Sequence, residues 1–227
     1  MKVGVLFSGG KDSVYSLYKA MKEHEVVVLI TLKPLNPESY MFHYPSIEVT
    51  KLQAEAIGIP QIFKTTKGEK EKELEDLKEA IKEAKEKYGI EGIVSGAIAS
   101  TYQKSRIDKI CEELGLESIA PLWHKDPKTP LLDILGAGFK IIITGVAAGG
   151  LEKDWLGKEI DLFAFKQLCD LHNTCYICTA GEGGEFETLV IDGPIFKKRI
   201  KIEEAETVWD GSSGMFLIKK ARLEDKN

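Results

Sequence analysis

Arginine is scarce in this chain. Of 31 basic residues only Arg106, Arg199 and Arg222 are arginines, and 36 acidic residues bring the formal net charge to −5. No basic field is available to draw in RNA or DNA, so nucleic acid is disfavoured as a partner. The surplus of Lys and Glu over Arg matches a bias of proteins from hot environments. Long apolar runs are missing too. The longest, Val26 to Leu32, falls far short of the roughly eighteen residues of a membrane span. Met1 leads straight into a strand pattern with no charged-then-apolar leader, so a soluble cytoplasmic protein is expected. No internal repeat or low-complexity linker is evident. Cysteine is sparse, and three of the four cysteines form Cys169-x2-His172-x2-Cys175-x2-Cys178. That spacing admits four zinc ligands, a Cys175 to Cys178 redox pair or local disulfide, or plain buried thiols. Ligands packed so tightly around one turn seldom all converge, which favours the thiols.

Against these absences stands a glycine pair. Val3 to Ser13 runs an apolar strand into Gly9-Gly10 and then into a helix beginning near Lys11. Glycines there leave no side chain between the main chain and a ligand. The helix start adds unpaired N–H groups and the positive end of its dipole, with Ser8, Ser13 and Lys11 as further donors. Such a turn suits a polyphosphate; the bland alternative is an ordinary glycine-rich turn with a Ser and Asp cap. A Walker A loop needs four residues between its first glycine and Gly-Lys-Ser/Thr, and a dinucleotide fingerprint needs Gly-x-Gly-x-x-Gly. Neither spacing is present. Ser8-Gly9-Gly10-Lys11-Asp12-Ser13 instead resembles the Ser-Gly-Gly-x-Asp-Ser signature of the PP-loop ATP pyrophosphatases, a resemblance that implies cleavage of ATP between its α and β phosphates.

A chain of 227 residues can bury a full core, as one large domain or one domain with an extension. The pattern predicts strands at 3–7, 26–32, 61–64 and 92–95 and helices at 11–23, 46–57, 67–88 and 102–114. Pro34, Pro37 and Pro45 mark a loop, and the charge run of 67–88 reads as a solvated face. Buried strands alternating with helices imply an α/β fold, a parallel sheet with helices on both faces. Ligands of such sheets sit beyond the carboxyl ends of strands, where Ser8–Ser13, Thr31–Lys33 and Ser95–Ser100 fall. After Pro121, Pro127 and Pro130 the pattern becomes a helix at 130–136, a strand at 139–147, a helix at 158–172 and strands near 186–192, 197–203 and 214–220. A nucleotide-binding domain is expected over 1–125 and a smaller mixed α+β part over 126–227, which forms the second wall of the crevice.

Two further strings carry chemistry. Glu182-Gly183-Gly184-Glu185-Phe186-Glu187-Thr188 has the form of a two-residue Gly-Gly hairpin followed by a strand. Strand periodicity sends Glu185 and Glu187 to one face and Thr188 to the other; exposed hairpin charges are the bland alternative. Gly96 to Gln103 is small-residue-rich after a buried strand, as ligand approach or a tight loop requires. Trp123-His124 and Trp155 place aromatics at loops, where core packing explains them equally well.

Together these residues resemble the diphthine-ammonia ligases (diphthamide synthases) of the PP-loop superfamily over essentially the whole chain. The resemblance is carried by Ser8–Ser13, Tyr40-Met41-Phe42-His43, Gln53 to Pro60, Gly96-Ala97-Ile98-x-Ser100-x-Tyr102-Gln103, Leu114-Gly115-Leu116, Pro121-Leu122-Trp123 and Gly181 to Thr188. The chain resembles a short archaeal form without the extra C-terminal domains of eukaryotic relatives. The resemblance implies an adenine nucleotide alpha hydrolase-like fold and ATP-dependent amidation of a carboxylate on elongation factor 2, through an acyl-adenylate, with ammonium as donor and AMP and pyrophosphate as products. It implies ATP contacts at Ser8, Gly9, Gly10, Lys11, Asp12 and Ser13, with main-chain contacts near Thr31, Leu32, Gly96, Ala97 and Ile98. Lys11 and Mg²⁺, which Asp12 helps to position, would serve the leaving group. Glu185 or Glu187 would capture and deprotonate ammonium, and Glu182 would face the substrate cation. His43, Tyr102, Gln103, Trp123, Gly183, Gly184 and Thr188 complete the expected substrate contacts, with Trp123, Trp155 or Tyr102 offering a face to a quaternary cation. A PP-loop tRNA-modifying enzyme using Cys175 and Cys178, and an ATP-binding regulatory domain without turnover, stay open as alternatives. A homodimer is compatible with all three.

Overall fold

The computed structural model describes residues 1–35, 46–67, 72–126 and 128–226. Five parallel strands, β1 (Lys2–Leu6), β2 (Glu25–Pro34), β3 (Gln61–Thr66), β4 (Gly92–Val94) and β5 (Glu117–Ile119), lie in the order β3-β2-β1-β4-β5. Their side chains alternate. Val3, Val5, Leu29 and Val94 face one core, while Val28, Ile30 and Ile93 face another with Leu77 and Ile81 of α3 (Lys72–Tyr88) and Ile107 of α4 (Thr101–Leu114). The first core takes in Leu17 of α1 (Lys11–Glu23) and Ala54 of α2 (Thr50–Ile57), so helices cover both sheet faces. Chain order reverses on either side of β1, which opens a crevice at the carboxyl ends of β1 and β4.

After α5 (Lys128–Gly136) come β6 (Lys140–Val146), α6 (Leu162–Cys175), β7 (Phe186–Asp192), β8 (Lys198–Trp209) and β9 (Gly214–Asp225). The four strands form an antiparallel sheet in the order β7-β6-β9-β8. Ile141 and Ile143 of β6 and Leu189 and Val190 of β7 complete the first core, so one apolar interior is shared by both sheets. Fully burying each such side chain contributes about 2 kcal/mol.

The outer edge of β7 meets the glycine loop directly. The Val190 amide donates to the Gly9 carbonyl at 3.0 Å. Gln53 of α2 clamps the junction, its Nε2 donating to Gly9 O at 2.9 Å and to Val190 O at 2.8 Å.

Some elements differ from the pattern-based expectation. β5 has only three residues, too short to show a period. β8 and β9 run past 203 and 220 as one long antiparallel ribbon, with 204–209 of β8 pairing with 214–220 of β9 and 198–202 with 221–225. Cross-strand ion pairs such as Glu203 with Lys220 and Glu206 with Lys219 take the place of apolar alternation on its exposed face. The Gly-Gly hairpin is not formed: no strand precedes residue 182, β7 pairs with β6, and of the two glycines only Gly184 has positive φ, at 84°. The segment is a turn entering β7, closed by Gly184 N donating to Gly181 O at 3.1 Å. His43, with Tyr40 to Phe42, Pro37 and Pro45, lies outside the described residues.

Candidate active site

Gly9 sits at φ 79°, a conformation that costs a residue with a Cβ about 1–2 kcal/mol. A Cβ there would also collide with the Gln53 side-chain oxygen. Gly96 permits the opposite approach, since a Cβ on it would lie 3.0 Å from the backbone of Asp12 and Ser13. The end of β4 thus presses against the start of α1. Gly10 caps that helix without a side-chain bond of its own. Ser8 and Ser13 brace the turn, Oγ to Oγ at 3.1 Å, and Ser13 Oγ donates to Gly10 O at 3.1 Å. The expected cap by Asp12 is absent because its carboxylate pairs with Lys11 Nζ at 2.6 Å.

A cavity of about 470 Å³ opens over this turn, a size suited to a nucleotide. Its walls come from the Ser8–Ser13 turn, Leu32, Ser95–Ile98, Gln103 and Gly181–Thr188, and therefore from both sheets. Thr188 belongs to the loop junction as well, its Oγ1 accepting from Lys11 N at 3.1 Å. Glu187 and Thr188 both line the cavity although strand alternation separates them, because the cavity wraps the free edge of β7.

Glu185 does not line it. One carboxylate oxygen accepts from Cys178 N and the other from Gly183 N, both at 2.8 Å, so it staples the turn. A carboxylate spent on two main-chain donors outside the cavity serves the turn rather than a bound ligand. Glu182 and Glu187 remain, and both are pushed up to about 7. Burial is the main cause in each case. The Asp12 charge adds to it, and Lys11 opposes it. Lys11 is itself buried, at 5% exposure. Burial works to lower its pKa, but Asp12, Glu182 and Glu187 outweigh that and hold it above the ordinary lysine value. The centre is thus one buried cation, the Asp12 carboxyl group paired with it, and two acids poised near neutrality, a pattern typical of proton-transferring sites.

Gly9 turns its carbonyl away, toward Gln53 and Val190, and only its neighbours face the cavity. Thr31 spends its hydroxyl on Phe7 O at 2.6 Å, leaving Leu32 to line the wall. The three aromatics expected to receive a cation already carry one. Arg106 lies 3.4 Å from the Tyr102 ring centroid, Lys104 5.5 Å from that of Trp123, and Lys158 4.1 Å from that of buried Trp155. None of the three lines the cavity.

Ser95 opens the segment 95–100 expected at the crevice, with no role of its own assigned to it. It lies on the cavity wall at 3% exposure, and its Oγ has no hydrogen-bond partner. Such an orphaned hydroxyl is costly unless a ligand meets it. Position alone, directly after β4, was the available signal. Cys169, His172, Cys175 and Cys178 do not converge: His172 Nδ1 is 2.7 Å from Ile177 O, and Cys175 is exposed rather than a buried thiol. No group of three or more possible metal ligands gathers among the described residues. Mg²⁺, which usually takes one or two carboxylates together with phosphates, fits Asp12 at the cavity wall better than a protein cage.

A parallel sheet with its glycine loop at the switch of strand order, joined to a second, antiparallel sheet, defines an α/β protein with a candidate anion-binding crevice. The diphthamide synthase N-terminal domain model matches residues 1–118 and the C-terminal domain model residues 126–223. The chain belongs to the diphthamide synthase family. It is 34% identical to a Bos taurus diphthine-ammonia ligase and 35% to the Homo sapiens one, each over 100% of this chain and 94% of the relative. Against the Schizosaccharomyces pombe diphthine-ammonia ligase identity is 36% over 100% of this chain and 40% of the relative. The expectation that eukaryotic relatives are longer therefore needs correction, since it holds for the fission yeast protein and not for the mammalian ones. A solved structure titled as a predicted subunit of tRNA methyltransferase from Methanocaldococcus jannaschii overlaps 85% of this chain and 97% of its own at 19% identity and TM-score 0.44. Nothing about activity follows from that overlap.

Proposed function

We propose that this protein amidates diphthine on elongation factor 2 to diphthamide, using ATP and ammonium through an acyl-adenylate and releasing AMP and pyrophosphate. Residues 1–125 bind the nucleotide and 126–227 the substrate, and the reaction belongs in the cytoplasm with translation. Among the described residues no helix is long and apolar enough to cross a membrane. The observation that carries the proposal is a buried Lys11 at the start of α1, sharing one cavity with Glu187.

A carboxylate is a poor acceptor for ammonia until its oxygen is made a leaving group, and transfer to the α-phosphate does that. The Ser8–Ser13 turn and Lys11 hold the outer phosphates and stabilise the charge that develops on pyrophosphate. Leu32, Gly96–Ile98 and the Ser95 hydroxyl contact ribose and adenine. Asp12 would hold Mg²⁺, which when bound supplies further neutralisation of the phosphates. Glu187 takes the proton from ammonium, and Glu182 helps to hold the cationic groups.

Mass spectrometry of elongation factor 2 carrying the carboxylate precursor, incubated with the protein, ATP, Mg²⁺ and ammonium, tests the reading. An amide accompanied by AMP is expected, and ADP with phosphate would overturn it. At limiting ammonium Glu187→Gln should lose amide formation, and Glu185→Gln should lose less.

A further inference from the structure

A second cavity of about 270 Å³ lies on the far side of the turn entering β7. It shares Gly184, Phe186 and Glu187 with the first cavity, so these residues form a common wall between the two. Its other walls include Val146, Val208 and Met215, with Asp210 and Ser213 at the rim. Asp210 accepts from Ser212 N at 2.8 Å and Ser213 N at 2.7 Å, which keeps it ionised. The lining thus holds two carboxylates, an aromatic ring and apolar side chains, and no Lys or Arg.

A quaternary ammonium needs such a lining. It donates no N–H bond, so it gains nothing from closely placed acceptors and prefers apolar and aromatic contact with negative charge nearby. Tyr102, Trp123 and Trp155 each already have one of the chain's own cations over the ring, as described above. We infer that the second cavity is the subsite for the quaternary ammonium of the protein-borne substrate, entered between β7 and the β8–β9 ribbon, so that the reacting carboxylate meets the nucleotide at Glu187. This inference rests on the function proposed above and adds to it a location for the cation that excludes Trp123, Trp155 and Tyr102.

Val208 is 42% exposed, so charge can be placed there without disturbing the core. In steady-state assays of the full chain with ATP, Mg²⁺, ammonium and the modified elongation factor, Val208→Lys should raise KM for the protein substrate at least about tenfold and leave KM for ATP within a factor of two. Val208→Glu should lower the protein-substrate KM. Tetramethylammonium chloride should compete with the protein substrate and not with ATP or ammonium, against potassium chloride at equal ionic strength. An unchanged KM in Val208→Lys, equal shifts for the Lys and Glu variants, or competition with ammonium alone would each overturn the subsite while wild-type amidation still stood. Absence of amide and AMP with the wild type would instead sink the proposed function, and the subsite with it.

Discussion

Glu187→Gln separates the energetic cost of the site from its use. In the folded protein the Glu187 carboxyl keeps its proton up to about pH 7, whereas its ordinary value is 4.5. Between those values the folded chain binds more protons than the unfolded chain, so stability is full below pH 4.5 and is lost as pH rises through about 7. A shift of that size is worth at most about 3 kcal/mol for an isolated group. Glu187 borders an open cavity, and solvent screening reduces the share to about 1–2 kcal/mol. Glutamine cannot ionise. The variant should therefore match the wild type near pH 4 and exceed it by that amount at pH 8. For a chain of this length the gain corresponds to about 3–6 °C in Tm. Denaturant unfolding of both proteins from pH 4 to pH 8, without nucleotide, measures the difference. A variant less stable at pH 8, or a gap that ignores pH, would show that Glu187 is not strained by burial beside Asp12 and refute its role as a poised base.

Lys11→Met should cut AMP formation by about a hundredfold or more, because it removes a fixed donor from the leaving group; turnover within threefold of wild type would refute that role. Ser95→Ala should raise KM for ATP about five- to tenfold, the worth of one hydrogen bond, with no fall in Tm, since an unpartnered hydroxyl is being deleted. A fall in Tm with unchanged KM would make Ser95 a packing residue. Gln53→Leu should cost about 2 kcal/mol and speed hydrogen exchange at the Val190 amide, and an unaffected amide would argue against the clamp. Cys175→Ser should leave amide turnover unchanged, and a loss would revive the sulfur-transfer alternative.

The nucleotide half was legible because its signals are local. A glycine pair between an apolar strand and a helix start fixes the loop, and alternating buried strands fix the sheet. Parallel pairing then follows from chain connectivity. The acidic string was legible as a cluster of carboxylates but not in its shape. Its glycines suggested a hairpin, yet a hairpin needs a preceding strand, and residues 176–185 have none. Glu185 and Glu187 look alike in the sequence. What divides their roles is that Cys178 N and Gly183 N both point at Glu185, a tertiary fact with no periodic signature. The place of Ser95 was legible but not its role, because a hydroxyl becomes conspicuous only when every neighbour is known and none bonds to it.

The aromatic residues show where composition governs chemistry. In a chain with a large lysine surplus, an aromatic ring near the surface is within reach of a cation from its own helix or loop. Arg106 reaches Tyr102 from one helical turn away, and Lys158 lies three residues from Trp155. Such pairs are worth about 0.5–1 kcal/mol at exposed sites, which an incoming quaternary ammonium would have to displace. Phe186 is buried at 3% exposure and lines both cavities, of which the second has no lysine or arginine among its lining residues. The scarcity of Arg and the abundance of Lys thus bear on where the substrate cation can sit.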